Sequence, residues 1–522
     1  MEIKSDKQKN IAVSAALNII RQAAMIAFPL ISYSYATRTL GADGIGVYEF
    51  AQSIVSYFAL LAALGVLSYA VRDGAKYKAA REKSISASGN VSEGETGFEL
   101  GGRTRDALDD FASEIFSINL IMTFVSYGVM LVLLYTNSHM YGYRIAIMIA
   151  SLSILFTTIG VDWVNSLFED YLYLTIRYIA IQLVALVLLF VFVKDPDDLY
   201  RYIFISILAT VLNGILNAVY VRRYVKIRFT FALNLKSHAL PVFILFCNQI
   251  ALVIYLNSDI TILNFLTDDT SVGLYGVAAK IYTMIKTLLN AAIFVVIPRF
   301  SQYVITEDSR FASGLKKLLS ALFTVLLPAC VGLFFMAGDA VFVVSGSEFE
   351  SAGAPLRVLA VALLFAVLAC YFANAIVMPC KLEKYFLAST VAAAVLNIVL
   401  NFIMIPKMGM IAAAITTLAA EVLVFVLLVI VSSRKVRLSE IIDRRDCLST
   451  LVGSVVVAVV CIFARKLMDM TSFGSLDGAV GKAQPSGIIG TLIIIALALL
   501  CYLAVLVLMK NSLTFMARGR RY

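Results

Sequence analysis

Fourteen stretches of largely apolar sequence, each near the ~20 residues that a helix needs to cross a bilayer, run through this chain of 522 residues. They are Ile11 to Tyr35, Ile45 to Leu67, Phe111 to Leu134, Ile145 to Val164, Tyr173 to Val193, Tyr202 to Val221 and Leu240 to Phe265. Then come Val272 to Ile297, Leu318 to Val344, Leu356 to Val377, Tyr385 to Ile405, Ile411 to Val431, Leu448 to Ala464 and Ile488 to Met509. A water-soluble globule cannot keep so much apolar surface from water. Hydrophobic residues make up 61% and charged residues 15%, against a charged share of roughly 25% in soluble domains. The expected class is an all-α polytopic membrane protein. The first run follows a lysine-bearing start and is too long for the apolar segment of a signal peptide, so it is expected to stay as a helix.

The net charge of +9 would raise nucleic-acid binding in a soluble chain. Here the bases sit in short runs between apolar stretches, the pattern of topology signals, and no nucleic-acid partner is expected. With the N-terminus inside, the alternate segments assigned to the cytoplasm hold 30 of the 43 Lys and Arg, and the outer ones 9. That asymmetry places both termini in the cytoplasm. Seven cysteines share no external loop, there are two histidines, His139 and His238, and no CxxC occurs. Disulfides and His/Cys metal chemistry are therefore not expected, and no cofactor is. No Walker A, GxSxG or HExxH motif appears, which removes an ATP-driven pump and the familiar hydrolases.

The longest break, Arg72 to Asp110, has a middle rich in Gly, Ser and Glu, expected to be a disordered cytoplasmic insertion over about 84–102. Its basic flank, Arg72, Lys76, Lys78, Arg81 and Lys83, suits lipid contact. GIGVYEFAQSI after the first run and SVGLYGVAAKI after the seventh repeat a Gly-apolar-Tyr pattern at an offset of 227 residues, in the same orientation. Internal repeats are how many transporters build two lobes. The expected organisation is a first lobe over 1–221, a second over 222–431, and a terminal helix pair with a basic tail over 432–522.

Charged groups deep in a span cost at least ~2.5 to 3.5 kcal/mol and must face protein or water. Ser14, Asn18, Arg21, Gln22 and Ser32 share one side of the first span. Lys280, Thr283, Lys286, Thr287 and Asn290 share one side of the eighth, and Asn248, Gln249, Tyr255 and Asp259 one side of the seventh. Two readings stand beside each other. Arg21, Lys280 and Asp259 form ion pairs that hold helices together, or the excess of three deep bases over one deep acid is met by an anionic ligand. Glu421 in the twelfth span is either a proton-coupling carboxylate or a structural one.

The run TRTLGADGIGVYEFAQSIVSYFALLAALGVLSYAVRDGAK, Thr37 to Lys76, resembles the opening signature of the Wzx-type polysaccharide-biosynthesis flippases. SDITILNFLTDDTSVGLYGVAAKIYTMI, APLRVLA and LNIVLNFIMIPKMGMIAAAITTLAAE, from Ser258 to Glu421, resemble its later blocks. The resemblance implies two six-helix lobes around a cavity and movement of an undecaprenyl-pyrophosphate-linked oligosaccharide from the inner to the outer leaflet of a bacterial plasma membrane. It further implies that Arg21, Lys280 and Lys286 are cavity cations with Asp259 as their internal partner. Coupling to a proton or sodium gradient, and other polysaccharide-assembly membrane proteins as partners beside membrane lipids, belong to the same expectation. A peptidoglycan-precursor flippase and a cation-coupled drug exporter share the architecture, though an exporter of cations favours acidic cavity residues. A membrane glycosyltransferase or polymerase would carry catalytic carboxylates or a large external loop, and the longest external segment, Leu467 to Gly487, offers Asp469 and Asp477 alone.

Overall fold

Wherever an apolar run is long enough, its backbone can satisfy its own polar groups in lipid only by coiling, and the described apolar runs do so. The computed structural model describes residues 2–87, 106–168, 171–231, 235–306, 310–470 and 487–512. They form α1 (Glu2–Ala63), α2 (Val66–Ala87), α3 (Ala107–Thr136), α4 (Arg144–Gly160), α5 (Trp163–Phe168), α6 (Tyr171–Phe192), α7 (Leu199–Tyr220), α8 (Leu235–Leu266) and α9 (Asp269–Ile305). There follow α10 (Arg310–Phe335), α11 (Ala337–Ser345), α12 (Gly353–Tyr371), α13 (Glu383–Met408), α14 (Met410–Ser433), α15 (Leu438–Ile441), α16 (Arg444–Met470) and α17 (Ile488–Leu508). The described residues contain no strand, so the all-α polytopic class holds.

Eleven helices among the described residues are long and apolar enough to span a membrane. α1 joins two helices at Gly41, where φ is +70°, and the first two runs fall one on each side of it. The fourth run forms the shorter apolar helix Arg144–Gly160, and the seventh lies within the 32 residues of α8. The insertion expected at 84–102 and the segment expected to be external, 467–487, fall largely outside the described residues.

The chain divides into two compact units, residues 1–40 with 47–257 and residues 41–46 with 258–522. In the first, Phe50, Ile54 and Phe58 of α1 pack with Met130 and Leu134 of α3, Ile147 and Ile154 of α4, and Ile203 and Ile207 of α7. A second cluster joins Tyr69, Phe111, Ile115, Trp163, Leu167 and Val225. Residues 226–230 run extended along α3. The N–H groups of Lys226, Arg228 and Thr230 donate to Asp109 Oδ1, Ser113 Oγ and Ser117 Oγ at 3.2, 3.1 and 2.9 Å. Two residues of extended chain rise ~6.6 Å and four residues of helix ~6 Å, so alternate N–H groups meet successive turns.

In the second unit α12 is the buried element, enclosed by α9, α10 and α14. It ends in a widened turn over Phe372–Val377. α16 and α17 share a core of Val457, Cys461, Ile494, Ala498, Tyr502 and Leu506, and the Tyr502 hydroxyl donates to the Thr324 carbonyl of α10. Cys330, Cys370, Cys380, Cys447, Cys461 and Cys501 carry free thiols.

The short segment 41–46 packs on the start of α9. Ala42 N–H donates to Glu348 Oε1 at 2.8 Å, and the Thr270 hydroxyl to Asp43. Gly46 lies against the Asp269 backbone and Gly273 against the Ala42 backbone, so close that a Cβ at either would overlap a carbonyl oxygen. These two contacts, 46 with 269 and 273 with 42, are related by the same 227-residue offset as the repeated motif. The division expected at 221 and 431 rests on the sequence runs; the compact units part at 257, inside α8.

Candidate functional site

The polar residues that matter lie where α8, α9, α13 and α14 of the second unit meet. Asp259 is buried on α8. Its Oδ1 accepts from Asn401 Nδ2 of α13 at 2.7 Å, and its Oδ2 from the Tyr275 hydroxyl of α9 at 2.8 Å and from the Thr417 hydroxyl of α14. The cage continues outward. Thr416 donates to Asn401 Oδ1 at 2.6 Å, and Asn397 Oδ1 takes Asn401 Nδ2 and the Ser258 hydroxyl, each at 3.0 Å. Four helices are thus tied to one carboxylate whose charge is held by neutral donors, the arrangement that makes a buried acid tolerable.

One helical turn further along α14 from Thr417 stands Glu421, also buried. Its Oε1 accepts from Lys286 Nζ at 2.6 Å and from the Tyr282 hydroxyl at 2.9 Å. Lys286 further donates to that hydroxyl at 3.3 Å. Tyr275, Tyr282 and Lys286 stand at i, i+7 and i+11 on α9, so they line one face, and Thr417 with Glu421 line the opposing face of α14. Two acid clusters therefore follow each other along the α9–α14 contact. Glu421 is eleven residues inside α14 and twelve from its end, at the middle of that apolar helix.

Lys286 meets Glu421, and Asp259 is held by hydroxyls and amides. The second deep acid reduces the excess of positive charge read from the sequence, in which Glu421 was set apart from the balance. Lys280 is half-buried on α9, and Asn290 carries a buried Oδ1 that meets no hydrogen-bond donor. Thr283 and Thr287 lie exposed, with the Thr287 hydroxyl donating to the Thr283 carbonyl at 2.8 Å. The side chains of Asn18, Arg21, Gln22 and Asn248 lie outside the described residues.

Sequence reasoning gave no functional role to two polar groups of the first unit. Arg177 of α6 reaches Asn217 Oδ1 of α7 and Asp162 Oδ1 at 3.1 Å, and its guanidinium stands over the Tyr173 ring at 5.1 Å. Glu49 on α1 has a buried Oε1 with no hydrogen-bond donor. Tyr275 and Tyr282 were legible in principle, since their seven-residue spacing ahead of Lys286 marks a shared helical face.

These features define a polytopic helical membrane protein with hydrogen-bonded acids and a paired lysine in its interior. A model of the family described as "Polysaccharide biosynthesis protein" matches residues 8–304, more than half of the chain, and the protein belongs to that family. The chain is 25% identical over 402 residues to a protein of Escherichia coli (strain K12) named "Putative O-antigen transporter", spanning 76% of this chain and 90% of the relative. Its fold is similar to that of a solved structure titled "Lipid II flippase MurJ, inward closed conformation", with a TM-score of 0.68 over 98% of this chain and all of the other, at 14% identity.

Proposed function

We propose that this protein is a flippase that carries an undecaprenyl-pyrophosphate-linked oligosaccharide from the cytoplasmic to the outer leaflet by alternating access, for surface polysaccharide export. Family membership and the resemblance to a protein named for O-antigen transport support the substrate class. The observation that carries the reading is the presence of charged side chains, Lys286 above all, within the membrane-spanning part of the second unit. A sugar pyrophosphate cannot cross hydrocarbon unaided, whereas its polyprenyl tail can remain in lipid. Lys280 and Lys286, with Arg21 from the sequence, are the groups proposed to receive the anionic head. Asp259 and Glu421 are the candidate coupling carboxylates, for a proton or a sodium ion. The membrane is then the bacterial plasma membrane, with both termini cytoplasmic.

Gentle purification with native lipid retained, followed by mass analysis, tests the substrate class. A polyprenyl pyrophosphate bearing sugar is the expected lipid. A peptide-bearing cell-wall precursor in its place would move the protein to a different substrate, and phospholipid alone would remove the support for lipid-linked saccharide.

A further inference from the structure

The pair between α9 and α14 is asymmetric in a way that bears on recognition. Glu421 keeps 6% of its side-chain surface accessible and Lys286 21%, so the ammonium can be reached from outside the pair and the carboxylate cannot. One Glu421 oxygen receives both the ammonium and the Tyr282 hydroxyl, a two-donor grip of the kind an anionic oxygen takes. An incoming phosphate oxygen would need the same ammonium.

We propose that the Glu421 carboxylate is an internal stand-in for the substrate's phosphate: the head group displaces it from Lys286, and Glu421 takes up one proton as it is displaced. The inference rests on the proposed function and deepens it. Taking Lys286 away leaves a buried carboxylate with a single hydroxyl donor, and an uncompensated buried charge is strongly unfavourable. Adding a proton from solvent removes that charge. The exchange balances simply. One N–H of Lys286 moves its hydrogen bond from Glu421 Oε1 to a phosphate oxygen, one O–H bond forms on Glu421, and no other covalent bond changes. Release of the head group reverses both steps, so the pair closes the site when it is empty.

The groups facing Glu421 are few enough to separate. From α9 come Lys286 and Tyr282, with Lys280 six residues before Lys286. From α12 comes the Cys370 thiol, within electrostatic reach of both members of the pair. Asp259 of α8 lies one turn along, through Thr417. Of these, Lys286 alone bonds Glu421 as a cation among the contacts described above. The exchange also sets specificity, because a neutral or weakly anionic lipid cannot displace a carboxylate that already holds the ammonium.

The test uses the purified full chain in detergent and a short-chain probe, geranylgeranyl pyrophosphate, with geranylgeraniol as the neutral control. Binding is measured calorimetrically at about pH 6 and about pH 8, a range in which the probe's own ionisation affects all variants alike. Wild type should bind more tightly at the lower pH than at the higher, beyond what the probe alone explains. Glu421→Gln should bind on the order of tenfold more tightly at the higher pH and lose that excess dependence, because its amide neither competes nor titrates. Glu421→Asp keeps the charge and should stay near wild type, and Lys286→Ala should lose most of the binding. Should Glu421→Gln fail to fold, Tyr282→Phe serves instead. It removes one of the two donors that hold the Glu421 carboxylate in place, so displacement should be easier and the probe should bind more tightly than to wild type at the higher pH. Equal affinity and equal pH dependence in wild type and Glu421→Gln, or weaker binding by Glu421→Gln, overturns the exchange while leaving the substrate class standing. Binding by neither protein overturns the proposed substrate class and the exchange with it.

Discussion

Adding one methyl group at Gly46 should unsettle the second unit, and adding one at Gly273 should do so to nearly the same extent. A Cβ at Gly46 would stand 1.9 Å from the Asp269 carbonyl oxygen and 2.6 Å from its carbon. At Gly273 it would stand 2.0 Å from the Ala42 oxygen and 2.9 Å from its carbon. Restoring even a tight 3.0 Å requires a retreat of about 1.1 Å at the first site and about 1.0 Å at the second. The obstacle in both is backbone, which has no rotamer to change. Overpacking of this kind costs typically ~1–3 kcal/mol, and backbone against backbone belongs at the upper end. Thermal unfolding of the purified protein in detergent should show Gly46→Ala and Gly273→Ala each melting several degrees lower. The two contacts share one crossing, so the double variant should lose less than the sum of the singles. Gly128→Ala is the control. Gly128 lies inside α3 with nothing within 4 Å of a Cβ, and alanine there should be neutral or stabilising by up to ~1 kcal/mol. Melting of Gly46→Ala and Gly273→Ala indistinguishable from that of Gly128→Ala would refute the reasoning.

Asp259→Leu strands the Tyr275, Asn401 and Thr417 donors, and since the two hydroxyls can partly turn to each other the loss should be ~2–4 kcal/mol, read as reduced thermal stability; wild-type melting would mean the cage is ornamental. At the loop before α16, burial pushes the Asp443 carboxyl up, but Lys316 at 3.0 Å and the N–H groups of Asp446 and Arg445 outweigh it and hold it below its ordinary 3.8. Its contribution is therefore present above about pH 3.8 and lost as pH falls through the lower folded value. Both partners are partly exposed, so Asp443→Asn should remove less than ~1 kcal/mol and leave acid-limb melting flatter; an unchanged acid limb contradicts the pair. Arg21→Ala and Lys280→Ala should reach the membrane at normal levels yet leave lipid-linked saccharide in the inner leaflet. Loss of the protein itself would mark those residues as structural.

The class of the protein was legible because run length and polarity decide between water and lipid before any packing is known. The first two runs were legible as separate helices, and they meet at Gly41, whose φ of +70° breaks the helical course between them. Lys286 was legible as a deep base, and Glu421 as a deep acid, each from its own span. Their pairing joins residues 135 positions apart, and one chain read alone holds no signal for that distance. The Asp259 cage was invisible for a related reason. Its donors are Tyr, Asn and Thr side chains from three other helices, residue types that occur throughout membrane spans, and their convergence is a property of packing. The 227-residue offset, by contrast, was visible at once, and its physical meaning emerged where Gly46 and Gly273 admit another backbone at the same register.

Purified protein reconstituted into sealed vesicles with a fluorescent polyprenyl-pyrophosphate oligosaccharide tests the central claim most directly, because leaflet exchange is read without the rest of the cell. In vesicles lacking the protein, a reagent that modifies sugars from outside should reach only the outer half of the labelled lipid. With wild-type protein the inner half should become reachable within the assay, and with Lys286→Ala it should remain sheltered. A sheltered inner half in the presence of folded, abundant wild-type protein, with a transmembrane proton or sodium gradient imposed, would contradict the account.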